Sequence, residues 1–217
     1  FKINMKYFNY ATGLTMTNEN FLNLFGQKVR DPNKDILNQF HMDIASSIQA
    51  VTEEIVLKLT NSLAKETKIE NLCMAGGVAL NCVANGKVMQ NNLFKNIWIQ
   101  PAAGDAGGSL GAALAFWHQE LGNKRIVNTE SDGMSGSYLG PSFNDNNVEN
   151  VLKSLEAIYE KKNEEDLITS VANELKNEKI VGWFQGRMEF GPRALGSRSI
   201  LADPRSDNMQ KKLNLKI

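Results

Sequence analysis

Asn71-Leu72-Cys73-Met74-Ala75-Gly76-Gly77-Val78-Ala79-Leu80-Asn81-Cys82 is the stretch on which the fold turns. A short apolar run closed by a glycine pair reads as a strand ending in a tight turn, and the residues that follow predict a helix over 78–89. The pattern then repeats. Ile97-Trp98-Ile99-Gln100 predicts a second strand stopped by Pro101, followed by a helix of small residues from about 107 to 120. Strands alternating with helices predict an α/β layer architecture, with the first strand buried.

On the N-terminal side, apolar residues at Ile36, Leu37, Phe40, Ile44, Ile48, Val51, Ile55, Leu59 and Leu63 step by three and four, predicting the longest helix of the chain over 36–63. Before it, Thr17-Asn18-Glu19-Asn20 predicts a cap for a short helix over 21–25 that Gly26 ends. On the C-terminal side, residues 121–138 are rich in Gly, Asn, Ser, Thr and Asp with few apolar positions, the composition of a surface linker. The predicted organisation is therefore 1–122, a linker at 123–137, and 138–217. Within the last part, helices are predicted over 143–158, capped at Asn144 or Asp145, and over 164–175. A buried strand over 179–184, a glycine-punctuated loop over 185–198 and the opening of a helix over 207–217 follow.

The 217 residues carry 24 Lys+Arg against 24 Asp+Glu, with 42% hydrophobic residues. This balance leaves no basic excess for phosphate neutralisation along a nucleic acid, so DNA and RNA are excluded as main partners. The uncharged stretches 71–86 and 106–119 are too short and too polar to span a bilayer, so no membrane association is expected. The N-terminus lacks both an initiator Met and the apolar run of a signal peptide, so the chain reads as a piece of a longer cytoplasmic protein. Cys73 and Cys82 lie in an apolar segment around the glycine pair and read as reduced core thiols.

Two segments can carry chemistry. In the first, Gly76 and Gly77 permit positive φ and close approach of a ligand, while amides opening the next helix favour an anion such as a nucleotide phosphate. Equally, the glycines could only let strand and helix pack. Downstream, Pro101-Ala102-Ala103-Gly104-Asp105-Ala106-Gly107-Gly108 places one carboxylate in a glycine-rich turn with no neighbouring cation. Asp105 is suited to a metal or a metal-bound phosphate, or it simply caps the helix. The small face Gly107, Gly108, Gly111 and Ala112 predicts tight packing against another element. The second segment holds Arg187, Arg193 and Arg198 among Gly186, Gly191 and Gly196, a flexible backbone between fixed-charge forks that suits a phosphate or carboxylate. Glu189, Asp203 and Arg205 could instead make it an internal ion-pair network.

Strand, glycine pair, helix, strand and Gly-Ala-Ala helix resemble the adenosine-binding second lobe of the actin-like ATPases. Residues 71–87, residues 97–108, Tyr138-Leu139-Gly140-Pro141 and residues 189–205 together resemble, more specifically, the O-carbamoyltransferases that tailor nodulation factors and antibiotics. The resemblance covers most of the chain. It implies the second lobe of an actin-like domain followed by the start of an α+β domain similar to a carbamoyl-adenylate synthase. It also implies an ATP-dependent transfer of the carbamoyl group of carbamoyl phosphate, through carbamoyl adenylate, to a hydroxyl of a small molecule or glycan. Gly76, Gly77, Asn81 and Gly104 would contact the nucleotide, and Asp105 would ligate a divalent metal, iron or else Mg. Arg187, Arg193 and Arg198 would belong to the carbamoyl phosphate and ATP site.

There are two departures from that family. Its paired metal-binding histidines, four apart on a helix, have no counterpart, because His41 and His118 are the only histidines and are far apart in sequence. The chain also stops early in the C-terminal domain, so it reads as an internal fragment without turnover of its own. The alternative reading is a non-catalytic actin-like nucleotide-binding module, which would have no use for the three arginines. A homo-oligomer formed through an uncovered apolar face is also allowed.

Overall fold

The structure is a computed structural model that describes residues 1–216. It divides into two compact units, residues 1–71 with 82–96, and residues 72–81 with those from 97 onward. This division differs from the one predicted by composition: the polar stretch 123–137 lies within the second unit, with elements of that unit on both sides.

The first unit is helical. Asn18 accepts from the amides of Asn20 and Phe21 to open α1, Glu19–Phe25, and Gly26 closes it at φ 64°. Phe8, Phe21, Phe25 and Phe40 form a chain of ring contacts with centroids 4.9–6.2 Å apart. The long helix α2 is Gln39–Thr67, not 36–63, because Asn38 and His41 cap its start reciprocally, each side chain accepting the other's backbone amide at 3.2 Å. His41 is therefore a capping residue. α3, Cys82–Gln90, packs on α2 through Ala84 and Val88, and the buried residues of α2 are Glu53, Val56 and Thr60. Glu53 pairs with Lys87, and this hydrogen bond, then that from Gln49, holds its carboxyl below the usual range against the effect of burial. The predicted apolar stripe is not the buried face: Ile48, Val51, Leu59 and Leu63 stay exposed.

The second unit carries the strands. β1, Asn71–Met74, pairs with β2, Asn96–Ile99, and only Leu72 of the two is fully buried. The first strand was predicted to be buried, but a two-stranded sheet has too few neighbours to cover both faces. The predicted helix over 78–89 is also interrupted: Gly77–Leu80 form one 3-10 turn, Asn81 is extended, and α3 starts only at Cys82. α4 is Asp105–Ala115, continued by a π-helical turn, Phe116–Glu120. Of its small-residue face, only Gly107 makes a close approach; Gly108 and Gly111 face open space. Cys73 and Cys82 are free thiols as expected, but both are exposed and not in the core.

α5, Asp145–Ser154, is capped by Asn144 and Asn147, and α6, Glu164–Lys176, by Asn163 with three acidic residues in its first turn. β3, Val181–Phe184, pairs antiparallel with β4, Arg198–Leu201, in the register Val181 to Leu201 and Phe184 to Arg198. The sequence reading did not anticipate β4. The predicted arginine loop is thus the connection between two paired strands, and Arg198 opens the second. α7, Met209–Lys216, falls within the helix expected over 207–217, and position 217 lies outside the described residues. No helix among the described residues is long and apolar enough to cross a membrane.

Candidate functional site

All the residues singled out in the sequence, Gly76, Gly77, Asn81, Gly104, Asp105, Arg187, Arg193 and Arg198, fall in the second unit. The glycine turn sits against the turn that precedes α4: Gly76 N donates to Ala103 O at 2.8 Å, and Gln100 N donates to Met74 O at 3.0 Å. Gly76 has φ 95°, which an L side chain resists, and an added Cβ at Gly76 or Gly77 would meet nothing within 4 Å. The backbone here is open to a ligand. Ala102 and Ala103 are buried, and Gly107 leaves no room at all, since a Cβ there would fall 1.9 Å from Ala102 O. Gly104 is the N-cap of α4 and Asp105 its first, exposed residue. The N-cap position belongs to Gly104, so Asp105 does not fill the capping role foreseen for it.

The arginine loop reaches both turns. Arg193 Nη2 donates to Leu80 O at 3.1 Å, and Gly191, at φ 136°, lies so close to Pro101 that a Cβ would come within 2.7 Å of its carbonyl oxygen. A second segment lines the loop from the other side. Phe190 N donates to Ser137 O at 2.7 Å, Gly140 N to Met188 O at 2.9 Å and Met188 N to Pro141 O at 3.0 Å. Arg187 Nη1 donates to Gly140 O at 2.6 Å, and the Tyr138 hydroxyl to Leu195 O at 2.9 Å. That segment is itself strained: Ser135 and Ser137 hold φ values of 49° and 79°, and the fully buried Ser137 Oγ has no hydrogen-bond partner among the described residues.

The three arginines are not equivalent. Arg198 is half-buried and donates to Glu189 Oε2 at 3.2 Å, whereas Arg187 and Arg193 are exposed and bond only to neutral carbonyls in the contacts just described. Burial pushes the Glu189 carboxyl up, but hydrogen bonds from its own amide, those of Leu195 and Ser197, and Arg198 prevail and lower it to about 2. Asp203 is lowered to about 2 by the side chain and then the amide of Arg205, which binds it in a fork at 2.6–3.0 Å. The internal-network reading thus holds for Arg198 and Arg205. Among the described residues, Arg187 and Arg193 have no carboxylate partner in an ion pair.

Residues 1–114 match the carbamoyltransferase N-terminus family and residues 172–217 the carbamoyltransferase C-terminus family. The chain belongs to the carbamoyltransferase family. An uncharacterized protein of Synechocystis sp. is 58% identical over 219 residues, covering 100% of this chain and 35% of that protein. Nodulation protein NolO of Bradyrhizobium diazoefficiens is 41% identical over 177 residues, 81% of this chain and 31% of NolO. Nodulation protein NolNO of Sinorhizobium fredii is 40% identical over 177 residues, 81% of this chain and 25% of NolNO. The chain spans about a third of the length of the curated relatives it matches.

In this carbamoyltransferase chain the two matches leave residues 115–171 between them, a stretch that includes the polar segment 123–137. It also includes Tyr138 and Gly140, which hold the arginine loop. Among the described residues no three His, Cys, Asp or Glu side chains cluster as a metal site needs, so Asp105 does not make one with its neighbours. His118 is occupied at Nδ1, 2.8 Å from Asn123 O. The residue that sequence reasoning undervalued is Glu189, an acid inside an arginine and glycine loop, which the sequence offered only as a member of a salt-bridge network.

Proposed function

We propose that the full-length protein moves the carbamoyl group of carbamoyl phosphate, through carbamoyl adenylate formed with ATP, to a hydroxyl of a small molecule or glycan. Forming the adenylate takes up water and releases orthophosphate and pyrophosphate; attack of the acceptor hydroxyl on the carbamoyl carbon then expels AMP. The observation that carries this reading is the Arg193 bond to Leu80 O, which brings a cationic loop to the open glycine turn within one unit. Family membership supports the transferred group. Gly76, Gly77, Asn81 and Gly104 would lie along the nucleotide, where the absent side chains at the glycines let phosphate oxygens approach backbone amides. Arg187 and Arg193 would face the phosphates, offsetting repulsion between two polyanions and stabilising charge as pyrophosphate departs. The described residues do not complete a metal site, so no step here depends on one.

The test is exchange of labelled pyrophosphate into ATP, dependent on carbamoyl phosphate, in the full-length gene product beside its Arg193→Ala variant. Exchange in the wild type that falls about 100-fold or more in the variant is expected. A folded full-length protein that exchanges nothing overturns the reading. The 217-residue chain, a third of such a protein, is expected to show no turnover.

A further inference from the structure

We infer that Glu189 is the positioning residue of the phosphate site: its buried carboxylate closes the 189–198 loop on itself and cancels Arg198, leaving Arg187 and Arg193 as the cations that meet an anionic ligand. The inference rests on the reading of the arginine loop as a phosphate site. Glu189 Oε1 accepts from Leu195 N at 2.6 Å and Ser197 N at 2.8 Å, Oε2 accepts from Arg198 Nε at 3.2 Å, and the side chain is 0% exposed. Arg198 Nη2 continues the closure, donating to Gly191 O at 2.5 Å and to Glu189 O at 3.4 Å. One carboxylate therefore fastens the far end of the loop to its beginning.

What lies inside the closure is the functional part. Pro192, Arg193 and Ala194 are exposed at its tip, with Gly191 pressed on Pro101 on one side and the Tyr138 hydroxyl on Leu195 O on the other. Among the described residues no hydrogen bond joins the tip to the Glu189 side chain, so Glu189 acts on Arg193 only through the backbone it fixes. The chemistry of the closure requires an anion. A carboxylate accepts two amides and a guanidinium at once, whereas a glutamine amide brings a second donor group against Arg198 and leaves it uncompensated. A loop so released no longer holds Arg193 at Leu80, and misplacement of a phosphate-binding cation weakens every anion it serves.

Two readouts in the full-length gene product test this. Calorimetric titration with inorganic pyrophosphate reports the anion site without turnover; the exchange reaction reports KM for carbamoyl phosphate. Glu189→Gln is expected to weaken pyrophosphate binding and raise that KM by about tenfold or more, with the maximal exchange rate per folded molecule changed much less. Glu189→Asp, which keeps the charge one methylene shorter, is expected to recover part of the affinity. A purely structural role would lower the folded fraction and the maximal rate while leaving KM and pyrophosphate affinity alone, and that result overturns the inference. Should the wild type bind pyrophosphate but exchange nothing, the carbamoyl-adenylation reading fails while the positioning role is still decided by the titration. A wild type that binds no pyrophosphate overturns both.

Discussion

At Glu189 a buried acid stays ionised because amides and a guanidinium converge on it, so its carboxyl sits at about 2 instead of its ordinary 4.5. A folded value below the unfolded one gives stabilisation that is present above pH 4.5 and is lost as the pH falls from there toward 2. Asp203 is lowered to about 2 as well, so a global denaturation curve mixes the two groups. The amides of Leu195 and Ser197 separate them, because both donate to Glu189 and neither to Asp203 in the recorded bonds. Their hydrogen-exchange protection, corrected for the intrinsic rate, is expected to fall across that window in the wild type and to be low and nearly flat in Glu189→Gln. Wild-type protection that stays constant from about pH 5 to 2 would mean the carboxylate does not hold the loop. The sequence showed the anion-binding residue types and the acid among them, but not which arginine the acid takes. That choice depends on the backbone path from Gly191 to Ser197, which only the folded loop fixes.

Among the elements, those specified by neighbouring residues were the most legible. Asn18 and Gly26 mark the ends of α1 within a residue or two, and Asn144 and Asn163 open α5 and α6, since caps act over a single turn. β4 escaped notice because the glycine-punctuated loop 185–197 separates it from its partner β3 with no tight-turn signal, and its own residues Arg198-Ser199-Ile200-Leu201 are too few to show a pattern. The break at Asn81, where the backbone turns extended, is one that helix propensity over 78–89 does not register. On α4 the sequence treats Gly107, Gly108 and Gly111 alike as packing glycines, yet the structure separates them. Gly107→Ala would place its methyl 1.9 Å from Ala102 O, so the turn must shift, with an expected loss of about 1–3 kcal/mol. Gly108→Ala meets nothing within 4 Å and is expected to stabilise the helix by about 0.5–1 kcal/mol. Denaturant titration of the two single variants in the same background checks the contrast. Equal losses at both positions would restore the idea of a packed small-residue face.

For the whole chain the governing fact is uncovered apolar surface. The structure exposes 17038 Å², against about 10,000 Å² expected for a self-contained monomer of 24.1 kDa. Part of it lies on α2, which buries Glu53, Val56 and Thr60 but leaves Ile48, Val51 and Leu59 lining a groove of about 680 Å³ with Phe1, Phe8 and Tyr10. A helix with two such faces needs two neighbours, and the curated relatives are about three times as long as the part matched here. The remainder of the longer polypeptide is the expected cover. The isolated 217-residue chain should therefore bind a hydrophobic dye strongly and scatter more light as its concentration rises, while the full-length protein does neither. Ile48→Glu and Leu59→Glu give the sharper comparison. In the isolated chain they are expected to reduce dye binding and association, because each puts a charge on an exposed apolar face. In the full-length protein the same changes bury an unpaired carboxylate and are expected to cost about 3 kcal/mol or more. If the full-length protein tolerates both without loss of stability, the rest of the polypeptide does not cover the stripe and its cover must be sought in another chain.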